Sequence, residues 1–146
     1  MSAHHTEEQP SSPGETFERS TRQRRAICDA FRTAEHPLAI GDVVQAARRS
    51  GASVSLTTAY RTVRALVEEG AVTAIELPGS GTVFESAGKA HHHHFSCLRC
   101  HRAYELADCA LPDLAVPRGF VALSHETTVY GVCAACGSDP PKGAAP

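Results

Sequence analysis

No apolar run in this chain approaches the ~20 residues that a membrane-spanning helix needs. Residues 1–30 hold no apolar segment that would read as a secretory signal. These absences exclude a membrane protein and make a cytoplasmic location the expectation. A large charge imbalance is missing as well: the formal net charge is −2, and charged residues make up 21%. With 42% hydrophobic residues the chain can build a packed core, so wholesale disorder is excluded. Internal repeats are absent too, and 146 residues make one ordinary domain or two small ones. What the chain has in excess is nine His and six Cys. Without an export signal, those cysteines read as metal ligands before disulfides.

Neither charge nor ligands are spread evenly. Residues 1–18 carry four acids and no base, residues 19–67 nine Arg against three acids, and residues 68–146 nine acids against five bases. The near-neutral total conceals a basic block of the kind that attracts nucleic acid. The ligands lean the other way: five of the six Cys and six of the nine His lie between His91 and Cys136. The chain therefore divides into an expected disordered leader over 1–16, a basic half over 17–87, a ligand-rich half over 88–137 and a disordered tail over 138–146.

Residues 22–35 place Ile27, Ala30, Phe31 and Ala34 at helical spacing, with Thr21 as the expected N-cap and Pro37 as the stop. Residues 40–50 repeat the pattern through Ile40, Val43, Val44 and Ala47 and end at Gly51. Residues 55–69 predict a third helix, capped by Ser55 and followed by Gly70. At about 100° per residue, Leu56, Ala59, Val63, Leu66 and Val67 share one face. Thr57, Arg61 and Arg64 cluster on its flank, and Tyr60 sits at the boundary. Val72–Leu77 and Thr82–Glu85 read as two strands joined by a turn of Pro78, Gly79, Ser80 and Gly81. Three helices and a hairpin describe a winged helix-turn-helix, whose third helix enters the major groove. Guanidinium groups at Arg61 and Arg64 can pair with phosphate or fork onto guanine edges. Tyr60 offers its ring to a thymine methyl and its hydroxyl to phosphate. On an isolated helix these would be solvated surface residues; within so basic a block they point to double-stranded DNA.

Cys97-Leu98-Arg99-Cys100 and Cys133-Ala134-Ala135-Cys136 are two CxxC turns. Each lets two thiolates face one ion, and together they complete a tetrahedral zinc site. A closed site of that kind is structural and staples the fold; a redox pair or an iron–sulfur cluster is the lesser alternative. Cys28 reads as a small core residue, and Cys109 has no assigned place. The run His91-His92-His93-His94 leads through Phe95 towards Cys97 and reads as a strand. Strand side chains alternate faces, so His92 and His94 point one way, His91 and His93 the other. One strand can thus feed two metal sites. A His pair needs further ligands to hold a first-row divalent ion; Glu85, Glu105 and His125 are the candidates nearby.

These pieces converge on a known pattern. Thr21-Arg22-Gln23-Arg24, His36-Pro37, Thr58-Ala59-Tyr60-Arg61-Thr62-Val63, Phe84-Glu85, the His run, the first CxxC, and Tyr130-Gly131-Val132 running into the second CxxC occur in that order. Over roughly residues 19–137 the chain resembles the ferric uptake regulator family of metal-sensing transcriptional repressors. The resemblance implies an α+β fold: an N-terminal winged helix-turn-helix followed by a small α/β dimerisation domain with a four-cysteine zinc site. It implies structural zinc at Cys97, Cys100, Cys133 and Cys136. It implies a regulatory site of His36, Glu85, His92 and His94, with Glu105 as a fifth ligand. A further site would draw on His91, His93 and His125. Arg19, Tyr60 and Arg61 fall on positions similar to the family's DNA contacts. There are departures. His101 stands where the family has Gly, and Ala59 where it has Val. The expected dimerisation helix falls on Asp108 to Gly119, which Pro112 and Pro117 interrupt. Proline inside a helix costs about 3 kcal/mol, so this helix is expected to be short or broken and dimerisation to rest more on strands. The carboxylate that completes the further site has no equivalent in register, Asp113 being the closest.

Zinc-sensing members place a thiolate near the end of the wing, where Ser86 and Ala87 stand here. Carboxylate with imidazole suits Fe(II) or Mn(II) better than a thiolate site does. The expected function is a metal-responsive repressor that senses Fe(II), with Mn(II) or Zn(II) as alternatives, acting as a homodimer on an operator with two half-sites. No membrane and no small-molecule substrate is involved. A zinc-sensing or peroxide-sensing member is the alternative within the family; peroxide sensors carry Asp where Glu85 and Glu105 stand. A metal enzyme would need an open coordination position and a base, and no HExxH or HxE…PCxxC arrangement is present. A zinc-ribbon interaction module explains the paired Cys but leaves the His run and the basic helix without a role.

Overall fold

The computed structural model describes residues 13–106, 108–109 and 115–137, with side chains described from residue 21 onward. Three helices come first: α1 (Pro13–Thr33), α2 (Ile40–Arg49) and α3 (Leu56–Glu68). Their apolar stripes meet in one buried cluster. Ile27, Ala30 and Phe31 come from α1, Val43, Val44 and Ala47 from α2, and Ala59, Val63 and Leu66 from α3, with Leu38 and Val54 from the connections. Cys28 packs at the edge of this cluster as a small apolar side chain, as expected. Leu56 does not join it. It stands in the first turn of α3 and is 51% exposed, which corrects its placement on the core face.

The first helix also differs from expectation. It opens at Pro13, so residues 13–16 belong to a helix and not to a disordered leader, and Thr21 lies inside it instead of capping it. Proline at the first helical position costs little, because its missing N–H would have had no intrahelical partner. Residues 1–12 and 138–146, the remainder of the expected leader and the expected tail, lie outside the described residues. The cap of α3 is as read: Ser55 Oγ accepts from the Thr58 N–H at 3.1 Å. Gly70, at φ +75°, follows its C-terminus.

Strands β1 (Val72–Leu77) and β2 (Gly81–Ser86) form the antiparallel wing, with Leu77 opposite Gly81. Gly79 and Gly81 adopt φ of +81° and +75°, which lets so short a loop close. The wing is tied to the helices twice. Leu38 and Phe84 exchange backbone hydrogen bonds of 2.8 and 2.9 Å, and Ser86 Oγ donates to the Phe31 carbonyl at 3.1 Å.

A second sheet follows, of β3 (His93–Cys97), β4 (Ala103–Leu106) and β5 (Thr128–Gly131) in the order β4-β3-β5. β3 runs antiparallel to β4 and parallel to β5. The start of β3, the end of β4 and the start of β5 therefore lie together at one end of the sheet. The end of β3, the start of β4 and the end of β5 lie at the other. The apolar cluster beside this sheet is thin: Leu77, Val83 and Ala103, with Ile75 against them. Residues 134–136 form a short 3-10 turn. In the stretch expected to carry the dimerisation helix, residues 108–109 and 115–119 show no helix, and residues 110–114, with Pro112 and Asp113, lie outside the described residues. Among the described residues no helix is long and apolar enough to cross a membrane.

The Ser55 cap sets the start of α3. Replacing it by Ala is expected to lower stability by about 1 kcal/mol, read as a fall in the urea midpoint at unchanged slope, while Ser55→Asp keeps the cap and most of that stability.

Candidate metal centres

The far end of the second sheet gathers four cysteines. Cys97 ends β3, Cys100 sits in the β3–β4 turn, and Cys133 and Cys136 follow β5. Their sulfurs lie within 4.8 Å of one another, and none is in a disulfide. Cys100 Sγ stands 3.8 Å from Cys133 Sγ. That is far beyond a disulfide bond, but it is the edge, about 3.8 Å, of a tetrahedron with Zn–S near 2.3 Å. Electrostatics agree. Burial opposes a thiolate at Cys97, yet the backbone amides of Cys100, Cys133 and Arg99 aimed at its sulfur outweigh it and hold its pKa down at about 6. The Tyr104 hydroxyl donates to Cys133 and lowers that thiol as well. Cys136, half-buried and facing Cys133, is pushed up to about 12. Four such sulfurs become thiolates together only around a cation. His101 helps to close the turn: its N–H donates to the Cys97 carbonyl at 2.9 Å, from a left-handed φ of +57°. That conformation is the one glycine adopts freely, which is the physical content of the departure at this position.

The near end of the sheet carries two groups on opposite faces of β3, as alternation requires. Glu85 from the end of the wing meets His92 and His94, all ligand atoms lying within 4.8 Å of one another. His92 Nδ1–H donates to the Ala90 carbonyl at 2.8 Å, which leaves Nε2 facing Glu85 Oε1 at 2.9 Å. In the neutral ring that contact sets a nitrogen lone pair against a carboxylate, and it needs a positive charge between them, a proton on the ring or a metal ion. His94 Nε2 lies 3.7 Å from Glu85 Oε2, and both atoms are buried without a hydrogen bond among the described residues. The donor set is thus suited to a divalent ion. A cavity of about 480 Å³ opens beside it, lined among others by Lys89, His91 and His125.

Two expected ligands stand apart from this group. His36 Nδ1–H donates to the carbonyl of its own neighbour Pro37 at 2.9 Å, and its ring lies 6.0 Å from that of Tyr104, on a different cavity. Glu105 sits directly across from His94 in the β3–β4 register. Its carboxylate is bound to Lys89 Nζ at 2.5 Å, an ammonium that also lies 3.6 Å from Glu85 Oε2. This hydrogen bond to Lys89 holds the Glu105 carboxyl below its ordinary pKa, against the opposing effect of burial. Sequence reasoning missed Lys89 altogether, because a lone Lys in a short connection carries no signal of its own.

On the opposite face His91, His93 and His125 come together as expected, and the structure adds a fourth member, Cys109. His93 Nε2, His125 Nε2 and Cys109 Sγ form a triangle with sides of 3.2, 3.1 and 3.3 Å. The His91 ring packs edge-on against both His93 and His125. Burial and the neighbouring imidazoles keep the His93 pKa below its ordinary value, which favours the neutral, ligating form. Cys109 could not be found from spacing, since no second Cys or His lies near it in sequence.

On the helical half, Thr57, Tyr60, Arg61 and Arg64 of α3 are all exposed, Tyr60 by 53%. Arg64 Nε pairs with Glu68 at 3.0 Å one turn along the helix. The side chain of Arg19 lies outside the described residues.

Comparison with known proteins identifies the family and the fold. A profile of the ferric uptake regulator family matches residues 16–130. The chain is 31% identical to the zinc uptake regulation protein of Mycobacterium tuberculosis over 124 residues, which cover 82% of this chain and 95% of that protein. It is 30% identical to the ferric uptake regulation protein of Bordetella parapertussis over 126 residues, 81% of this chain and 88% of that one. Among solved structures, the ferric uptake regulator of Vibrio cholerae superposes with a TM-score of 0.64 at 21% identity, over 84% of this chain and all of that one, and shows a shared fold.

The four-cysteine group makes its own test. Stripping metal with a strong chelator under reducing conditions is expected to raise amide exchange in β3, β4 and β5 while α1–α3 stay protected, and Cys97→Ser is expected to do the same. Unchanged exchange in β3 and β5 after complete zinc loss would show that the cluster does not hold the sheet.

Proposed function

The chain belongs to the ferric uptake regulator family, and from that premise we propose that it is a metal-responsive, DNA-binding transcriptional repressor that works as a homodimer. We place its DNA-binding part at residues 17–87 and its metal-binding, dimerising part at 88–137, and a cytoplasmic site of action goes with this reading. The observation that carries it is the position of Glu85. Its carboxylate belongs to the wing, yet it is buried against His92 and His94, where the chain enters the second sheet. A divalent ion bound there supplies a positive charge that carboxylate and imidazoles share. Glu85 then locks the wing against β3, and the Leu38–Phe84 bridge and the Ser86–Phe31 hydrogen bond pass that orientation to α1 and the helical core. The carboxylate and imidazole donors favour Fe(II) or Mn(II) at this group. Glu105, across from His94, can join once it leaves Lys89. His36, whose Nδ1–H is held by the Pro37 carbonyl, keeps Nε2 free as a ligand and can join if its segment moves towards Glu85.

The structural zinc is assigned to Cys97, Cys100, Cys133 and Cys136, where the 3.8 Å sulfur spacing and the lowered thiols of Cys97 and Cys133 support it. Double-stranded DNA is met by Thr57, Tyr60, Arg61 and Arg64, with Arg19 as a further contact. Two copies would present two recognition helices to two half-sites. The surface for pairing copies is supported by β5, an edge strand whose Val129 and Tyr130 are each 43% exposed, and by the segment before it. There Phe120, Val121 and Leu123 are 69%, 81% and 93% exposed. An open edge beside large exposed apolar side chains is an interface in waiting.

Two measurements bear on this. Operator binding in a band-shift assay without oxygen is expected to require Fe(II) or Mn(II), to vanish with a mild chelator and to fall steeply with salt; equal binding by the His92→Ala, His94→Ala double variant would sink the assignment. Leu123→Asp is expected to shift the sedimentation coefficient from dimer to monomer at micromolar concentration, with the structural zinc retained.

A further inference from the structure

The thiol of Cys109 plays no part in the reading above, yet it lies among three imidazoles. We infer that Cys109 completes His91, His93 and His125 into a zinc-class site of three nitrogens and one thiolate, chemically opposed to the oxygen-bearing Glu85 group on the other face of the same strand. The inference deepens the reading of the chain as a metal-responsive regulator and rests on it for its physiological meaning. The coordination chemistry stands on geometry.

Topology comes first. His91 and His93 lie at the start of β3, Cys109 just beyond the end of β4 and His125 just before the start of β5. Because β4 is antiparallel and β5 parallel to β3, these three places converge at one end of the sheet. Ligands from three separate segments therefore meet without any local motif. Distances come second. With Zn–N near 2.0–2.1 Å and Zn–S near 2.3 Å, tetrahedral edges are about 3.3 Å between two nitrogens and about 3.6 Å between nitrogen and sulfur. The observed edges are 3.2 Å for His93 to His125, and 3.3 and 3.1 Å from Cys109 to His93 and His125. Ligand class comes third. Thiolate with imidazole selects Zn(II) over Fe(II) and Mn(II), and carboxylate at the Glu85 group does not. Access comes last. His91 is exposed while His93 is buried, so the group has an open side through which an ion can exchange. Cys97 and Cys133 of the four-thiolate cluster are both buried.

One strand thereby presents two kinds of donor set to the same solution, and a single chain can answer to zinc on one face and to an iron-class ion on the other.

The test uses the full-length, reduced protein holding one zinc per chain in the four-cysteine cluster, titrated with Co(II) without oxygen. Co(II) stands in for Zn(II) and reports thiolate ligation by a charge-transfer band in the near ultraviolet. The wild-type chain is expected to gain that band while its zinc content stays at one. Cys109→Ser is expected to lose the band and to bind its second zinc at least about tenfold more weakly in competition with a chelating dye. His91→Ala with His125→Ala is expected to lose the same band, which keeps the test decisive if Cys109→Ser is poorly folded. His92→Ala with His94→Ala is expected to keep it, so failure of the Glu85 assignment and failure of this one give different results. A wild-type titration without a thiolate band would overturn the inference, as would a band that survives both Cys109→Ser and the His91/His125 double variant.

Discussion

The alternation of side chains along β3 is the constraint on which the second half of the molecule depends. Five residues of strand and the two before it supply His91 and His93 to one face, His92 and His94 to the other, and Cys97 to the far end. A slip of one residue in its pairing would exchange the two faces and send each imidazole pair to the wrong partners. Register is not secured here by a large apolar core, since the cluster beside this sheet amounts to Leu77, Val83 and Ala103 with Ile75. On the proposed reading it is secured by donors that converge at both ends: the four-thiolate group where β3 and β5 finish, and the imidazole groups where β3 starts. Metal chemistry then takes the place of apolar burial as the source of order in this half.

The helical half follows the opposite logic. Its core of Ile27, Phe31, Val43, Val63 and Leu66 is continuous across three helices, and a packed core of this kind needs no ion. That division suits a sensor. Under the proposed function, the part that carries the DNA-reading side chains keeps its shape whatever the metal supply, and only the way it is held against the second sheet depends on ligation.

The helices, the wing and the two faces of the His run were legible in sequence because each rests on a local period, 3.6 or 2, and on turn residues at set offsets. The CxxC pairs were legible because each pair is local and the two were spaced as a set. What stayed hidden was non-local. Cys109 enters its group only through the antiparallel pairing of β3 with β4 and a bend beyond it, and nothing in its own neighbourhood marks it. Lys89 acquires meaning only once Glu85 and Glu105 are folded to either side of it. The resemblance supplied His36, which no spacing would have chosen, but in this structure its ring is hydrogen-bonded to the Pro37 carbonyl and does not join the Glu85 group. The start of α1 was misread for the plainer reason that a polar, acidic segment shows no apolar stripe, although Pro13 fits the first position of a helix.

The ammonium of Lys89, held between Glu105 and Glu85 at 2.5 and 3.6 Å, means that this corner of the protein already contains a cation, tethered and monovalent. On the proposed reading, divalent binding there is an exchange reaction. From the two carboxylates the incoming ion gains only the difference between its own attraction and that of the ammonium it displaces, so its bonds to His92 and His94 must carry the preference for a metal over the resident charge.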